Sequence, residues 1–504
     1  MRSLIALIAL LLAGPVAAAP TPVAELAKPP ADAQAFTIMS TAGKHGASTR
    51  WTAPDGARMG RESLLLRGQV FETDSVERLG PDRMLQKVTI RGFTPNGDAA
   101  ESFAVEGGTA RWKSPVDGGA APYRSPAMYI AFGGTMALNA DFFEALLAAP
   151  GRSLALLPGG RAHAEPLTTL DVGEGPAKKT VAAWAITGVF NTPVAVWADD
   201  KGRFFALIGG LSWIPAGYEA AQPLLQKAQD EALAKRSPAL AKALVRTPAG
   251  PVAFTHVRAF VGGDHFAPDQ TVVVDKGLIT RVGPAAGFTP PGGAEVIDGA
   301  GETLVPGLWD SHMHFGDDAA GPMLLSLGVT SARDPGNVNA LTLARAERRA
   351  KGELLSPRVY PSVLIDGKGP NTAQVASVAT TRDEALAIVR KAKAEGFVAI
   401  KLYGTFNPAW VKDTAAEAHR LGLHVHGHLP AGMRTAEAIA DGYDEITHIY
   451  FVMMQAMPDS VVAKSNGIAR FEGPGRYAKD VDLNAEPMKS LIATMAAKKI
   501  TVDP

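Results

Sequence analysis

Leu304-Val305-Pro306-Gly307-Leu308-Trp309-Asp310-Ser311-His312-Met313-His314 joins an apolar, buried-looking strand to two histidines one residue apart. Strand side chains alternate between faces, so His312 and His314 project to the same side and can grip one metal ion. A His-x-His pair alone is a weak signal, because two histidines often meet by chance. Working outward, Lys401 ends another apolar run at 397–402, and His428 and His448 end two more at 423–428 and 445–448. Four separated segments that each finish in a metal-competent group make a strong signal, and its direct chemical reading is a metal-dependent hydrolase.

The text after residue 304 alternates between two periods. Strands are expected at 329–334, 358–365, 397–402, 423–428, 445–448 and 500–502, and helices at 339–350, 382–394, 409–421, 435–441 and 487–498. Repeated βα units of this length imply a parallel sheet. With the opening strand they number seven, one short of an eight-stranded barrel. The fold class expected is α/β: an incomplete (β/α)8-type TIM barrel of about seven strands behind an N-terminal mostly-β accessory domain. In such a barrel catalytic groups collect at the C-terminal strand ends, where the loops form a concave mouth. His312, His314, Lys401, His428 and His448 all lie at such ends.

The remaining chain is read from composition. At 504 residues, two or three domains are expected. Lys plus Arg and Asp plus Glu both number 50, so the net charge is zero, and with no basic stripe nucleic acid is excluded as a partner. Arg2, an apolar run at 4–12 and the small-residue exit at 14–19 match a signal peptide over 1–18, with cleavage after Ala18. A buried helix of the folded protein is the lesser alternative. The run is too short for a stable membrane anchor, so the expectation is an exported, periplasmic protein. There is no cysteine, which excludes disulfides and a lipidated cysteine. A mobile Pro/Ala linker is expected at 19–34, the mostly-β domain with one helix near 139–147 at 35–216, and a helical connector at 217–250. Strands with hairpin turns at 275–277 and 291–293 fill 251–303, and the barrel 304–504. His45, His163 and the scattered carboxylates of the first domain lack ligand spacing and read as solvated loop residues.

Four motifs resemble the amidohydrolase superfamily, in its imidazolonepropionase-like and prolidase-like branch: 303–314, Ala399-Ile400-Lys401-Leu402-Tyr403-Gly404, Gly427-His428-Leu429-Pro430-Ala431-Gly432, and 442–448. The resemblance covers about 252–504 and implies a small β-sandwich subdomain, which 251–303 looks like in part. It also implies two divalent ions, usually zinc, bridged by a carbamylated lysine. On that reading His312 and His314 hold the more buried ion, Lys401 bridges both, and His428 and His448 hold the more exposed one. A free ammonium repels a metal, whereas a carbamate is an anion with two oxygens, and imidazole with carboxylate suits zinc. Two ions sharing a bridging hydroxide can polarise a scissile carbonyl.

His424, His426 and His428 alternate along one strand, so His426 is the reserve ligand to His428. Tyr403 and Tyr450 follow ligand positions and are candidates for substrate binding. Asp310 could support His312, Asp334 reads as a cap or supporting group, and His419 as solvated. The family pattern needs an aspartate ending strand eight to move the proton. Asp503 falls one strand too early, so that aspartate is expected to be absent and the barrel truncated. The expected function is hydrolysis of C–N bonds in a small molecule or dipeptide, with a homo-oligomer possible. The rivals are a lactone or cyclic-amide hydrolase, and a catalytically dead barrel whose β domain is a binding module.

Overall fold

The computed structural model describes residues 20–40, 43–66 and 68–504, and the expected signal peptide lies outside them. The chain divides into two compact units, Met1–Asp230 and Glu231–Pro504.

The first unit is built on one sixteen-stranded sheet, almost all of it antiparallel neighbours in chain order. Alternation places the core: along Lys179–Thr187, Val181, Ala183 and Ala185 are buried while Thr180, Ala182 and Trp184 are more open. The helix expected near 139–147 spans Met136–Ala148, and its Phe143 and Leu146 pack into a core with Phe36, Ile90, Phe103 and Phe204. Two expectations fail here. The described part of the expected linker, 20–34, is not loose: Leu26 is buried and the Ala27 N–H donates to Asp74 at 2.7 Å. Nor are the carboxylates all solvated, since Asp74, Asp141 and Glu144 are buried against Arg91, Arg58 and Arg50, fastening strands to one another and to the helix. Arginine partners distant in sequence made these ion pairs invisible to a reading of local spacing.

The connector folds as two helices, Gln222–Ala234 and Ser237–Leu244, the second opening with Pro238. A proline has no N–H to return to the carbonyl four residues back, and its ring crowds that carbonyl, which here belongs to Ala234, where the first helix ends. In the second unit a five-stranded mixed sheet covers Val252–Gly262 to Thr303–Leu304. Of the two hairpins expected, the one at 275–277 forms, Lys276 and Gly277 carrying φ of 50° and 79°, the paired left-handed geometry of a tight two-residue loop, whereas the turn at 291–293 leads into Glu295–Asp298, which pairs in parallel with Val252–Gly262.

Beyond it lies a parallel sheet curled into part of a barrel. Its main strands are β1 (Leu308–Asp310), β2 (Val329–Asp334), β3 (Arg358–Gly367), β4 (Ala399–Leu402), β5 (His424–Gly427), β6 (Glu445–Thr447) and β7 (Thr501–Asp503). They pair in chain order, with Ser377–Ala379 added alongside β3. Helices Arg382–Glu395 and Val411–Arg420 pack on this sheet through Val389, Ala392, Val411 and Ala415, which meet Ile400, Leu402 and Val425. The opening strand is not buried: Leu308 and Trp309 are 55% and 54% exposed. β1 pairs with β2, and among the described residues no ladder joins it to β7, so its apolar side chains stand at an edge. The helices Ile449–Met453, Asp459–Val462 and Ala469–Tyr477 between β6 and β7 were not expected. Gly473, Pro474 and Gly475 inside the last one erase its helical signal.

Helix Arg382–Glu395 begins with a complete capping box, Thr381 accepting from Glu384 N–H and Glu384 reaching back to Thr381. Thr381→Ala should lower stability by about 1 kcal/mol. Urea unfolding would show this as a lower midpoint at unchanged slope.

Candidate active site

Parallel strands deliver the candidate residues to one end of the sheet. His312 and His314 leave the end of β1 in irregular backbone, Lys401 sits within β4, and His428 and His448 immediately follow β5 and β6. His312 lies centrally: its ring centroid is 5.3 Å from that of His314 and 4.9 Å from that of His448. The His448 ring is 5.0 Å from His428, and Lys401 Nζ is 3.3 Å from His312 Nε2. All five candidates therefore form one connected cluster.

Local backbone explains two of these positions. Gly427 has φ of 141°, and a Cβ there would stand 2.1 Å from the Leu402 carbonyl oxygen. Only glycine lets β5 approach β4 so closely and then turn His428 outward. His448 carries φ of 73°, unusual for a residue with a side chain, and its N–H donates to the Asp503 carbonyl at 2.5 Å. Such backbone costs of order 1–3 kcal/mol and persists where surroundings enforce it.

Hydrogen bonds fix which ring nitrogens carry lone pairs. His312 Nδ1 donates to Asp503 Oδ2 at 2.6 Å, and His314 Nδ1 donates to the Gly336 carbonyl at 2.5 Å. A carbonyl only accepts, so neutral His314 keeps its lone pair on Nε2, and the Asp503 carboxylate imposes the same tautomer on His312. That is the arrangement a metal-binding histidine needs. Among the described residues no three His, Cys, Asp or Glu side chains are gathered as a ready group for a metal ion. The donor types, and the tautomers of His312 and His314, fit zinc; the side chains would have to close inward around it.

Burial governs the electrostatics. Lys401 is 1% exposed, and burial lowers its pKa to about 7, with Asp503 and Arg333 acting in opposite senses. His448 is lowered to about 4, first by burial and then by the charges of His312 and Lys401. Burial pushes the Asp503 carboxyl up, but the His312 hydrogen bond and the His312 and Arg333 charges outweigh it, leaving it below the usual range. Beneath the cluster, Arg333 donates to Glu445 at 2.7 and 2.5 Å and to Asp503 at 2.9 Å, all three buried.

His426, the reserve ligand, is fully buried between Ser362 Oγ at 2.8 Å and Thr447 Oγ1 at 3.3 Å. It belongs to the interior of the sheet, while His428 faces the cluster. Tyr403 stacks on His428 at 3.9 Å and Tyr450 on His448 at 5.2 Å. Burial raises the Tyr450 phenol to about 12. Asp310 accepts the His312 N–H at 3.0 Å, Asp334 accepts that of Gly336 at 3.1 Å, and His419 meets Asp444 at 3.0 Å. Sequence reasoning set Asp503 aside, yet it holds His312. It also missed Asp366, a buried carboxylate accepting N–H bonds from Gly367, Ala373 and Thr405 and so shaping two mouth loops. An aspartate ending an apolar strand was the available signal for both.

The chain is similar to amidohydrolases. A 92-residue stretch is 32% identical to the enamidase of Eubacterium barkeri, covering 18% of this chain and 24% of that protein. Among solved structures, a bottromycin amidohydrolase is 23% identical with TM-score 0.36, over 44% of this chain and 46% of that one. A Xaa-Pro dipeptidase is 17% identical with TM-score 0.38, over 50% and 78%. The chain thus spans about a quarter of the curated enamidase and about half of the bottromycin amidohydrolase. No protein-family profile matches it.

Lys401 gives the metal-free protein a pH signature. Its pKa is about 7 when folded, against 10.5 for the free side chain. Between these values the unfolded chain binds more protons, so stability should rise with pH from about 7 to about 10. Denaturant midpoints of chelator-treated protein would show the rise; Lys401→Met should flatten it.

Proposed function

We propose that the second unit hydrolyses C–N bonds, amide or peptide, in small molecules or dipeptides. The supporting observation is the convergence of His312, His314, Lys401, His428 and His448, drawn from four strands, at one end of the parallel sheet. The curled sheet is taken as a (β/α)8-type barrel at about seven strands, and the 252–304 sheet as its small β-sandwich partner. The first unit serves as an accessory domain. Export to the periplasm rests on the N-terminal sequence alone.

In this proposal His312 and His314 would hold one divalent ion, and His428 and His448 a second. Zinc suits these nitrogens. The chemistry such ions supply when bound is water activation and polarisation of the scissile carbonyl. Every other role falls to the chain. Lys401, its pKa brought to about 7, has a substantial neutral fraction at neutral pH. Its amine lone pair can attack carbon dioxide and pass its proton to solvent, giving a carbamate anion whose oxygens would serve as metal ligands. Asp503 fixes the His312 tautomer and, 2.6 Å from that ring, is placed to take and return a proton. Tyr403 and Tyr450 wall the mouth, limiting water and orienting the substrate.

Elemental analysis and a dipeptide hydrolysis panel test this together. The expected result is about two equivalents of zinc, hydrolysis lost on chelation, and recovery with zinc plus bicarbonate. Lys401→Met should bind less than one equivalent and lose hydrolysis, yet match or exceed the metal-free wild type in stability by about 1–4 kcal/mol, as when a buried charge is replaced by an apolar side chain. Hydrolysis that survives complete metal removal would overturn the proposal.

A further inference from the structure

We propose that Arg470 is a carboxylate-binding residue of this site, so that its ligands are amides bearing a free carboxylate beside the scissile bond, as in dipeptides and N-acyl amino acids. The substrate class rests on the hydrolase reading above; the binding claim stands on geometry.

Arg470 lies on helix Ala469–Tyr477, between β6 and β7. Its Nη1 donates to His428 Nδ1 at 3.3 Å, which places the guanidinium at the edge of the imidazole cluster. The guanidinium carbon stands 4.6 Å from the Phe471 ring centroid and 6.0 Å from that of Tyr450, so two aromatic faces set its position. Its Nε is buried and has no hydrogen-bond partner.

Three other arginines of this unit with little exposed side chain are neutralised. Arg333 pairs with Glu445 at 2.5 Å, Arg345 with Asp318 at 3.1 Å and Arg434 with Asp459 at 2.5 Å. Among the described residues no carboxylate is paired with Arg470; its one hydrogen bond goes to an imidazole. A guanidinium has five N–H donors in a rigid plane, and leaving a buried one unsatisfied is costly. A ligand carboxylate would supply both the missing charge and a two-oxygen acceptor matched to the fork. The same ligand would then extend toward His428 and, 5.0 Å beyond it, His448.

The test uses the full chain and calorimetric titration with N-acetyl amino acids and the corresponding N-acetyl amino-acid amides, alongside turnover of dipeptides and their C-terminal amides. Wild type should bind the acids about tenfold or more tighter than the amides, the worth of a charge-assisted hydrogen bond. Arg470→Met should bring the two within about twofold, and Arg470→Lys should keep part of the preference. For turnover, Arg470→Met should raise KM for the acids far more than it lowers kcat. Equal affinity for acid and amide, no measurable binding of either, or an unchanged preference in Arg470→Met would overturn the inference. If Arg470→Met does not fold, Arg470→Lys decides by the same ratio. Should no dipeptide be hydrolysed, the hydrolase reading fails, while the acid-to-amide binding ratio still decides the role of Arg470.

Discussion

Inside the curled sheet one guanidinium meets two carboxylates. Arg333, from β2, spans to Glu445 at the start of β6 and Asp503 at the end of β7, and its Nε also donates to the Ser311 carbonyl just beyond β1. β2 is not a sheet neighbour of β6 or β7, so its approach to them across the interior is held by side chains rather than by ladder hydrogen bonds. Asp503 completes the span by accepting from Ser311 Oγ at 3.2 Å and from His312 Nδ1. Burying such a cluster is expensive, and each charge is tolerable because the others are present. The cluster therefore converts sheet curvature into the placement of His312, the ring through which His314, Lys401 and His448 are connected.

That dependence explains why the lysine and the histidines differ in character. Lys401 shares its low-dielectric surroundings with Arg333, whose charge disfavours a second cation nearby. The same arginine helps keep His426 neutral, after the larger effect of burial. Cationic charge is thus favoured on a residue that cannot give up its proton, and disfavoured on Lys401, His426 and His448. A site meant to receive cations needs this ordering, because protonated imidazoles and ammonium groups compete with metals for the same lone pairs.

Much of this was legible in the sequence, and the failures have physical causes. The β/α rhythm after residue 304 was readable because these strands are short apolar runs and their helices have clear caps, as at Thr381 and Gly396. The ends 334, 350, 428 and 448 fell within a residue of the elements found. Strand-end histidines announced themselves through position. Buried ion pairs did not: Arg333 and Glu445 are 112 residues apart, and no local pattern links them. The helix Ala469–Tyr477 between β6 and β7 carries glycine and proline in its interior, so packing rather than propensity forms it, and Arg470 was hidden with it. The opening strand misled for the opposite reason. Its composition describes a strand covered on both sides, whereas β1 has a ladder partner on one side among the described residues.

His448 shows the cost of assembling such a cluster. Its left-handed backbone is disfavoured for a residue with a Cβ, yet it sits at the end of β6 where an ordinary extended residue would continue the strand and carry the ring away from His312. The bond from its N–H to the Asp503 carbonyl ties that strained turn to the strand whose side chain orients His312. One residue, Asp503, therefore enforces the backbone of one candidate ligand and the tautomer of another. Folding alone does not require this coincidence, because a glycine at 448 would relieve the strain. A histidine kept there in spite of it is most economically explained by what its ring does in the cluster.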